Sequence, residues 1–279
     1  MTQQGDIPAE ITQRTGAAKI ALIPPHVLQL LNAGRIPTVN LNEFLALDLG
    51  ALACQVATDV GLTPQAERLQ DTLALLGAIK PMKRHEHIAR ALYDLTAALP
   101  TPSLRDATAQ RLADHPSDVA RCWAAQWVMF SGLSLADKLT VQRRFASDPH
   151  FGVREIAWAA VRPDVVAQPE AALELLAPWV READERLRRF ASELTRPRGV
   201  WCAPIALLKA QPELALPLLE PLRSDPSRYV QNSVANWLND AGKTQPQWVP
   251  QLCQRWQRLS PTDATRYIVR RACRNLVGP

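Results

Sequence analysis

The chain has 279 residues, 47% of them hydrophobic and 21% charged, with a formal net charge of +5 and a mean hydropathy of −0.14. That length can bury a substantial core, and the composition excludes collagen, extended disorder and a disulfide mini-scaffold. The 23 prolines against 11 glycines put proline above its usual ~5%, favouring short helices punctuated by proline-containing turns over barrels and Rossmann-type sheets.

In chain order, residues 1–8 carry neither a basic n-region nor an apolar h-region, so no secretory signal is legible. The first 40 residues read as an N-terminal arm with a short helix around Val27 to Leu31. A longer helix is expected from Glu43 to Val60, capped by Asn40 or Asn42. The apolar stretch Phe44 to Leu62 contains Asp48 and Asp59, so a membrane span is not expected. The five cysteines (54, 122, 202, 253 and 273) are odd in number and lack a CxxC pair; free thiols in a reducing, cytoplasmic compartment are expected.

From about residue 80 to the end the chain repeats itself. Apolar positions align at Ile88, Val119, Val153, Leu187, Val230 and Ile268, spaced by 31, 34, 34, 43 and 38 residues, and each opens a helix-like segment. Asp148-Pro149 and Asp225-Pro226 precede two of them in equivalent places, and second helices fit between, as at Ala171 to Arg181 and Leu214 to Leu222. Irregular two-helix units of this length are the signature of HEAT-like repeats. The expected fold is therefore all-α, one curved α-solenoid domain over 1–279.

Helical geometry sorts the side chains of each segment. One stripe reads Val153, Ile156, Ala157, Ala160; Leu187, Phe190, Ala191, Leu194; Val230, Ser233, Val234, Trp237, and is the expected buried seam. Beside it run Glu155; Arg189 and Glu193; Asn232, Asn236 and Asp240; and Arg270 and Arg274. Residues 1–122 carry 11 Lys+Arg against 12 Asp+Glu, and the remainder 21 against 15, with all eight tryptophans in that second part. Of those 21 cations, 18 are arginines, whose planar fork suits phosphate; a merely solvated arginine-rich face fits the charge equally well. His85 and His87 are two apart, about 200° round a helix, and do not readily share a metal.

The segment Arg188-Arg-Phe-Ala-Ser-Glu-Leu-Thr-Arg-Pro-Arg-Gly-Val-Trp201 resembles the DNA alkylation repair glycosylases of the AlkC/AlkD superfamily, AlkC branch. So do Val153-Arg-Glu-Ile-Ala-Trp158, Tyr229-Val-Gln-Asn-Ser-Val-Ala-Asn-Trp-Leu-Asn-Asp240, the stretch Thr265 to Leu276, and the N-terminal Ile23-Pro-Pro with Thr38-Val-Asn-Leu-Asn. The sequence ends just past its last repeat and resembles members without the C-terminal immunoglobulin-like domain.

The resemblance implies a solenoid with a concave basic groove that cradles DNA, and excision of cationic alkylated bases, 3-methyladenine especially and 7-methylguanine as a further candidate, from double-stranded DNA in base excision repair, without metal or cofactor. It places Glu193 and Asp240 nearest the chemistry, Glu155 as a third carboxylate and Trp201 as an aromatic wall, whose cation–π contact is worth about 0.5–2 kcal/mol. Arg154, Arg189, Arg196, Arg198, Arg266 and Arg270 become candidates for DNA phosphates, and Tyr229, Asn232 and Asn236 for other DNA contacts. A monomer in the cytoplasm, at the nucleoid if the source is prokaryotic, is expected, with no membrane partner. Blander readings stand beside these: Glu193 as an i,i+4 partner of Arg189, Asp240 as a cap for the turn at Ala241-Gly242, and Trp158 and Trp237 as core. At the level of the whole chain the alternatives are a noncatalytic binder of distorted or branched DNA, or a HEAT-like protein-interaction scaffold.

Overall fold

The structure, a computed structural model, describes residues 7–63, 66–199 and 202–275. Among the described residues the only regular elements are helices, and none is long and apolar enough to cross a membrane. The chain divides into two compact units, residues 1–131 with 150–156, and residues 132–149 with 157–279.

The first unit contains α1 (Ala9–Thr12), α2 (Pro25–Asn32), α3 (Leu41–Ala46), α4 (Leu49–Val60), α5 (Ala66–Leu75), α6 (Pro81–Ala97), α7 (Pro102–Ala113) and α8 (Asp118–Gln126). The N-terminal segment is anchored: Ile11, Ile23, Val27, Leu31 and Ile36 form one apolar cluster. Arg14 pairs with the buried Glu43 at 2.7 Å, and Thr38 donates from its backbone N–H and its hydroxyl to Asp118, both at 2.8 Å.

The single helix expected from Glu43 to Val60 is in fact two. Asn40 caps α3 by accepting from the Glu43 N–H, but Asp48 accepts from Gly50 and Ala51 N–H and caps a new helix, α4. A short carboxylate that satisfies the first free N–H groups of a turn competes with helix continuation. Gly61 ends α4 with φ 91°, a conformation that β-carbon crowding denies most residues.

The second unit contains α9 (Leu135–Ala146), α11 (Pro169–Leu176), α12 (Glu185–Leu194), α13 (Ala206–Ala210), α14 (Leu216–Leu222), α15 (Arg228–Gly242), α16 (Trp248–Leu259) and α17 (Asp263–Ala272). Helix α10 (Phe151–Ala167) gives its first six residues to the first unit and the rest to the second. Within the second unit α15 packs between α12 and α17, while α14 and α16 supply its other neighbours. The second helices are shorter than expected: α11 stops before a 3₁₀ turn at Trp179–Arg181, and a 3₁₀ turn at Pro212–Ala215 precedes α14. Pro178 lacks the N–H that a continued α11 would need there.

The six aligned positions are all buried: Leu187 is 5% exposed and Ile88, Val119, Val153, Val230 and Ile268 are 0% exposed. Four of them sit in the first turn of their helix, whereas Ile88 and Ile268 lie mid-helix. Eleven of the twelve seam residues are buried and Ile156 is half-buried. Trp158 and Trp237 are core, as a side chain beside the apolar stripe should be.

Candidate functional site

The Arg-Pro-Arg-Gly segment follows α12 as a loop held from beneath by Arg162 of α10. That arginine is 1% exposed, and its guanidinium donates to the carbonyls of Leu194, Arg196 and Ala203. Burial draws its proton affinity below the ordinary arginine value, since leaving water disfavours the charged form. Gly199 adopts φ 46°, and a β-carbon there would stand 2.3 Å from Cys202 Sγ, so the loop path requires glycine. Trp237 Nε1 donates to the Thr195 carbonyl at 3.0 Å and ties the start of the loop to α15.

That loop sets Arg196 between two carboxylates from different helices. Its Nη1 donates to Glu193 Oε1 at 2.6 Å, and its Nε and Nη2 donate to Asp240 Oδ2 at 2.9 and 2.7 Å. Glu193 lies in the last turn of α12, and Asp240 lies near the end of α15. Both are nearly buried, at 6% and 5% exposure. Glu193 Oε2 accepts from Ser233 Oγ at 2.7 Å, and Ser192 Oγ donates to Ser233 in turn. Arg189 Nη2 stands 3.5 Å from the same oxygen. Asp240 Oδ1 meets Lys243 Nζ at 3.1 Å, and that lysine is 46% exposed. Burial alone would depress Arg196, but Glu193 and Asp240 outweigh it and hold the guanidinium above its ordinary range.

Several expectations shift against this geometry. Arg196, expected at a phosphate, has its fork occupied by two carboxylates. Asp240 does not cap the turn at Ala241-Gly242, because α15 runs through Gly242. Glu193 and Asp240, expected on the stripe beside the apolar seam, are drawn inward by Arg196 and Ser233. The i,i+4 contact of Glu193 with Arg189 is present but longer than the one with Arg196. Arg154 and Glu155 are half-buried on the part of α10 that belongs to the first unit. Trp201 lies outside the described residues.

A second cluster runs along α15 and α17 beside α12. Arg189 lies 4.8 Å from the Tyr229 ring. Tyr267 is ringed by guanidinium groups, Arg228 at 3.5 Å and Arg270 and Arg271 each at 5.6 Å from its centroid, geometry that suits cation–π contact. The Tyr267 hydroxyl donates to Asn232 Oδ1 at 2.7 Å, and Arg274 donates to Asn236 Oδ1 at 3.1 Å. Arg266 is exposed and pairs locally with Asp263. Arg198 is half-buried beyond the clamp, its Nε buried without a hydrogen-bond partner among the described residues.

Sequence reasoning missed Ser233, Lys243, Arg162, Arg228, Tyr267 and Arg271 as parts of these clusters. Tyr267 stands three and four residues before Arg270 and Arg271, a helical spacing that could have flagged it. Ser233 sat at a seam position and was read as core.

Comparison with known proteins places this arrangement in context. The chain is 40% identical over 118 residues to the uncharacterized protein YhaZ of Bacillus subtilis (strain 168), covering 42% of this chain and 32% of that protein. It is similar to the solved structure of the Pseudomonas fluorescens alkylpurine DNA glycosylase AlkC bound to DNA containing an abasic site analogue. There the identity is 28% and the TM-score 0.64, over 80% of this chain and 62% of that one. The chain thus spans about a third of the curated relative and less than two thirds of the AlkC chain. A crystal structure of AlkD2 from Streptococcus mutans shares the HEAT-like helical-repeat fold at 19% identity and TM-score 0.56, over 75% of this chain and 99% of that one. Residues 98–276 match the family model for DNA alkylation repair enzymes; a match over well over half of its length means that the chain belongs to that family.

Proposed function

We propose that this protein is a DNA glycosylase that hydrolyses the N-glycosidic bond of cationic alkylated bases in duplex DNA, with 3-methyladenine as the leading substrate and 7-methylguanine next. The observation that carries this reading is the buried pair Glu193 and Asp240, presented by neighbouring repeats and bridged by one guanidinium. Membership of the DNA alkylation repair family and the likeness to an alkylpurine DNA glycosylase support it. The arginine- and tyrosine-bearing faces of α12, α15 and α17 offer a surface for the phosphate backbone.

A purine alkylated at N3 already carries positive charge, so its glycosidic bond breaks without a strong acid at the leaving group. Charge moves to the sugar as an oxocarbenium-like transition state forms. A fixed carboxylate beside the anomeric carbon stabilises that charge and orients and deprotonates the attacking water.

The two carboxylates are not equivalent. Both oxygens of Glu193 are engaged by buried partners, Arg196 and Ser233, with Arg189 close by. Asp240 Oδ2 is held by Arg196, while Oδ1 faces the half-exposed Lys243. Asp240 Oδ1 is therefore the oxygen assigned to the sugar and its water. Glu193 fixes Arg196, and through it Asp240.

The test is release of free base from methylated duplex DNA by the wild type and by Asp240→Asn and Glu193→Gln. Loss of transition-state stabilisation need not disturb ground-state binding, so Asp240→Asn should lower excision by about tenfold to a hundredfold or more with DNA affinity retained. Glu193→Gln should cost less activity and more stability. Tight DNA binding with no base release by the wild type would replace this reading with a noncatalytic DNA binder. Neither release nor binding would leave an interaction scaffold.

A further inference from the structure

We infer that Cys253 and Cys273 form a modification site, a dithiol that peroxides oxidise to a disulfide fastening α17 to α16. Their sulfurs are 3.8 Å apart, where the end of α17 meets α16, two helices that pack against each other. Cys253 lies on α16 and is 2% exposed, while Cys273 is the first residue past α17 and is half-buried. A disulfide needs about 2.05 Å between sulfurs, so a gap of about 1.8 Å remains to be closed on oxidation. The residues are 20 apart in sequence, so the bond closes a loop of that length.

The two thiols differ in the way that a sensing pair requires. Contact with Cys253 draws the Cys273 thiol down to about 7 against the opposing effect of its burial. Contact with Cys273, reinforced by burial, pushes Cys253 far up. The more accessible sulfur is thus the one placed to meet an oxidant and the enclosed sulfur is its resolving partner, the division that selective oxidation follows. Nothing in the proposed glycosylase chemistry uses either residue.

The steps balance with a peroxide as oxidant. The Cys273 thiolate attacks one peroxide oxygen, the O–O bond breaks, and the departing oxygen takes a proton and leaves as water or an alcohol. Cys273 is left as a sulfenic acid. Cys253 then gives up its proton and its sulfur attacks the Cys273 sulfur; the S–S bond forms, the S–O bond breaks, and water leaves. Two thiols are oxidised by two electrons and one peroxide is reduced. The helix thereby fastened carries Tyr267, Arg270 and Arg271.

The experiment is treatment of the full chain with hydrogen peroxide, alkylation of remaining thiols with N-ethylmaleimide after denaturation, and peptide mass spectrometry. The expected result is a cross-linked peptide containing Cys253 and Cys273 that dithiothreitol separates, with Cys54, Cys122 and Cys202 alkylated. Closing this loop should raise Tm by roughly 5 °C over the reduced protein. Cys253→Ser should instead leave Cys273 as a dimedone-reactive sulfenic acid with no rise in Tm. The proposal is overturned if the wild type shows Cys273 as sulfinic acid beside reduced Cys253, if Cys273 pairs with another cysteine, or if both thiols survive a dose that oxidises free cysteine. The wild-type peptide map decides this even if a variant fails to fold.

Discussion

Replacing Arg196 with methionine removes a group that touches both Glu193 and Asp240 while roughly keeping the volume of its stem. The arginine side chain is 11% exposed and its two partners 6% and 7%, so solvent offers little screening. Breaking a buried ion pair by deleting one member costs about 3–5 kcal/mol, because the remaining charge stays buried. Here Ser233, Arg189 and Lys243 still face the carboxylates, which places the expected loss at the low end, about 3 kcal/mol. At about 2.1 cal/mol/K of unfolding entropy per residue, 1 kcal/mol corresponds to about 1.7 °C in a chain of this length, so Tm should fall by about 5 °C. The sharper test is a double-mutant cycle with Asp240→Asn, read by denaturant unfolding. Once the Asp240 charge is gone, losing Arg196 should cost less, giving a coupling of about 1–3 kcal/mol. Additivity within about 0.5 kcal/mol would refute the clamp as an energetic unit.

Other predictions test separate parts of the molecule. Burial lowers His85 to about 4, so the unfolded chain binds a proton there at pH values where the folded protein does not. Stability from this group is complete above about pH 6.5 and is lost as pH falls toward 4, at most about 3 kcal/mol. His85 stacks on Phe44 at 4.8 Å; His85→Phe should keep the contact and flatten that slope, and equal pH dependence in both proteins would contradict it. Arg162→Met strands the carbonyls of Leu194, Arg196 and Ala203 and should cost about 3 kcal/mol or more, with hydrogen exchange accelerated first in residues 195–199. Arg270→Ala with Arg271→Ala should weaken duplex binding and lower the salt slope by about 1–2 units, as removal of phosphate contacts does; an unchanged slope removes both from the DNA surface.

The repeat framework was legible in the sequence because burial imposes a local period. Ile88, Val119, Val153, Leu187, Val230 and Ile268 must each face a neighbouring helix, and an α-helix returns to the same face every 3.6 residues, so apolar spacing alone marked all six. The helix break at Asp48 was less legible, since capping is decided by whether a carboxylate meets free N–H groups, which apolar periodicity does not register. The charged site was legible only in its membership. Sequence placed Glu193, Arg189 and Arg196 close along one segment and Asp240 on the corresponding stripe of the next, one helical turn beyond Asn236, the position equivalent to Glu193, but spacing along a chain says nothing of which cation faces which carboxylate. Tertiary packing decided that Arg196 turns away from solvent to bridge α12 and α15, that Arg162 holds the loop which aims it, and that Cys253 and Cys273 meet. Those contacts join residues 20 to 44 apart in sequence, and only the packing of one helix on another sets such distances.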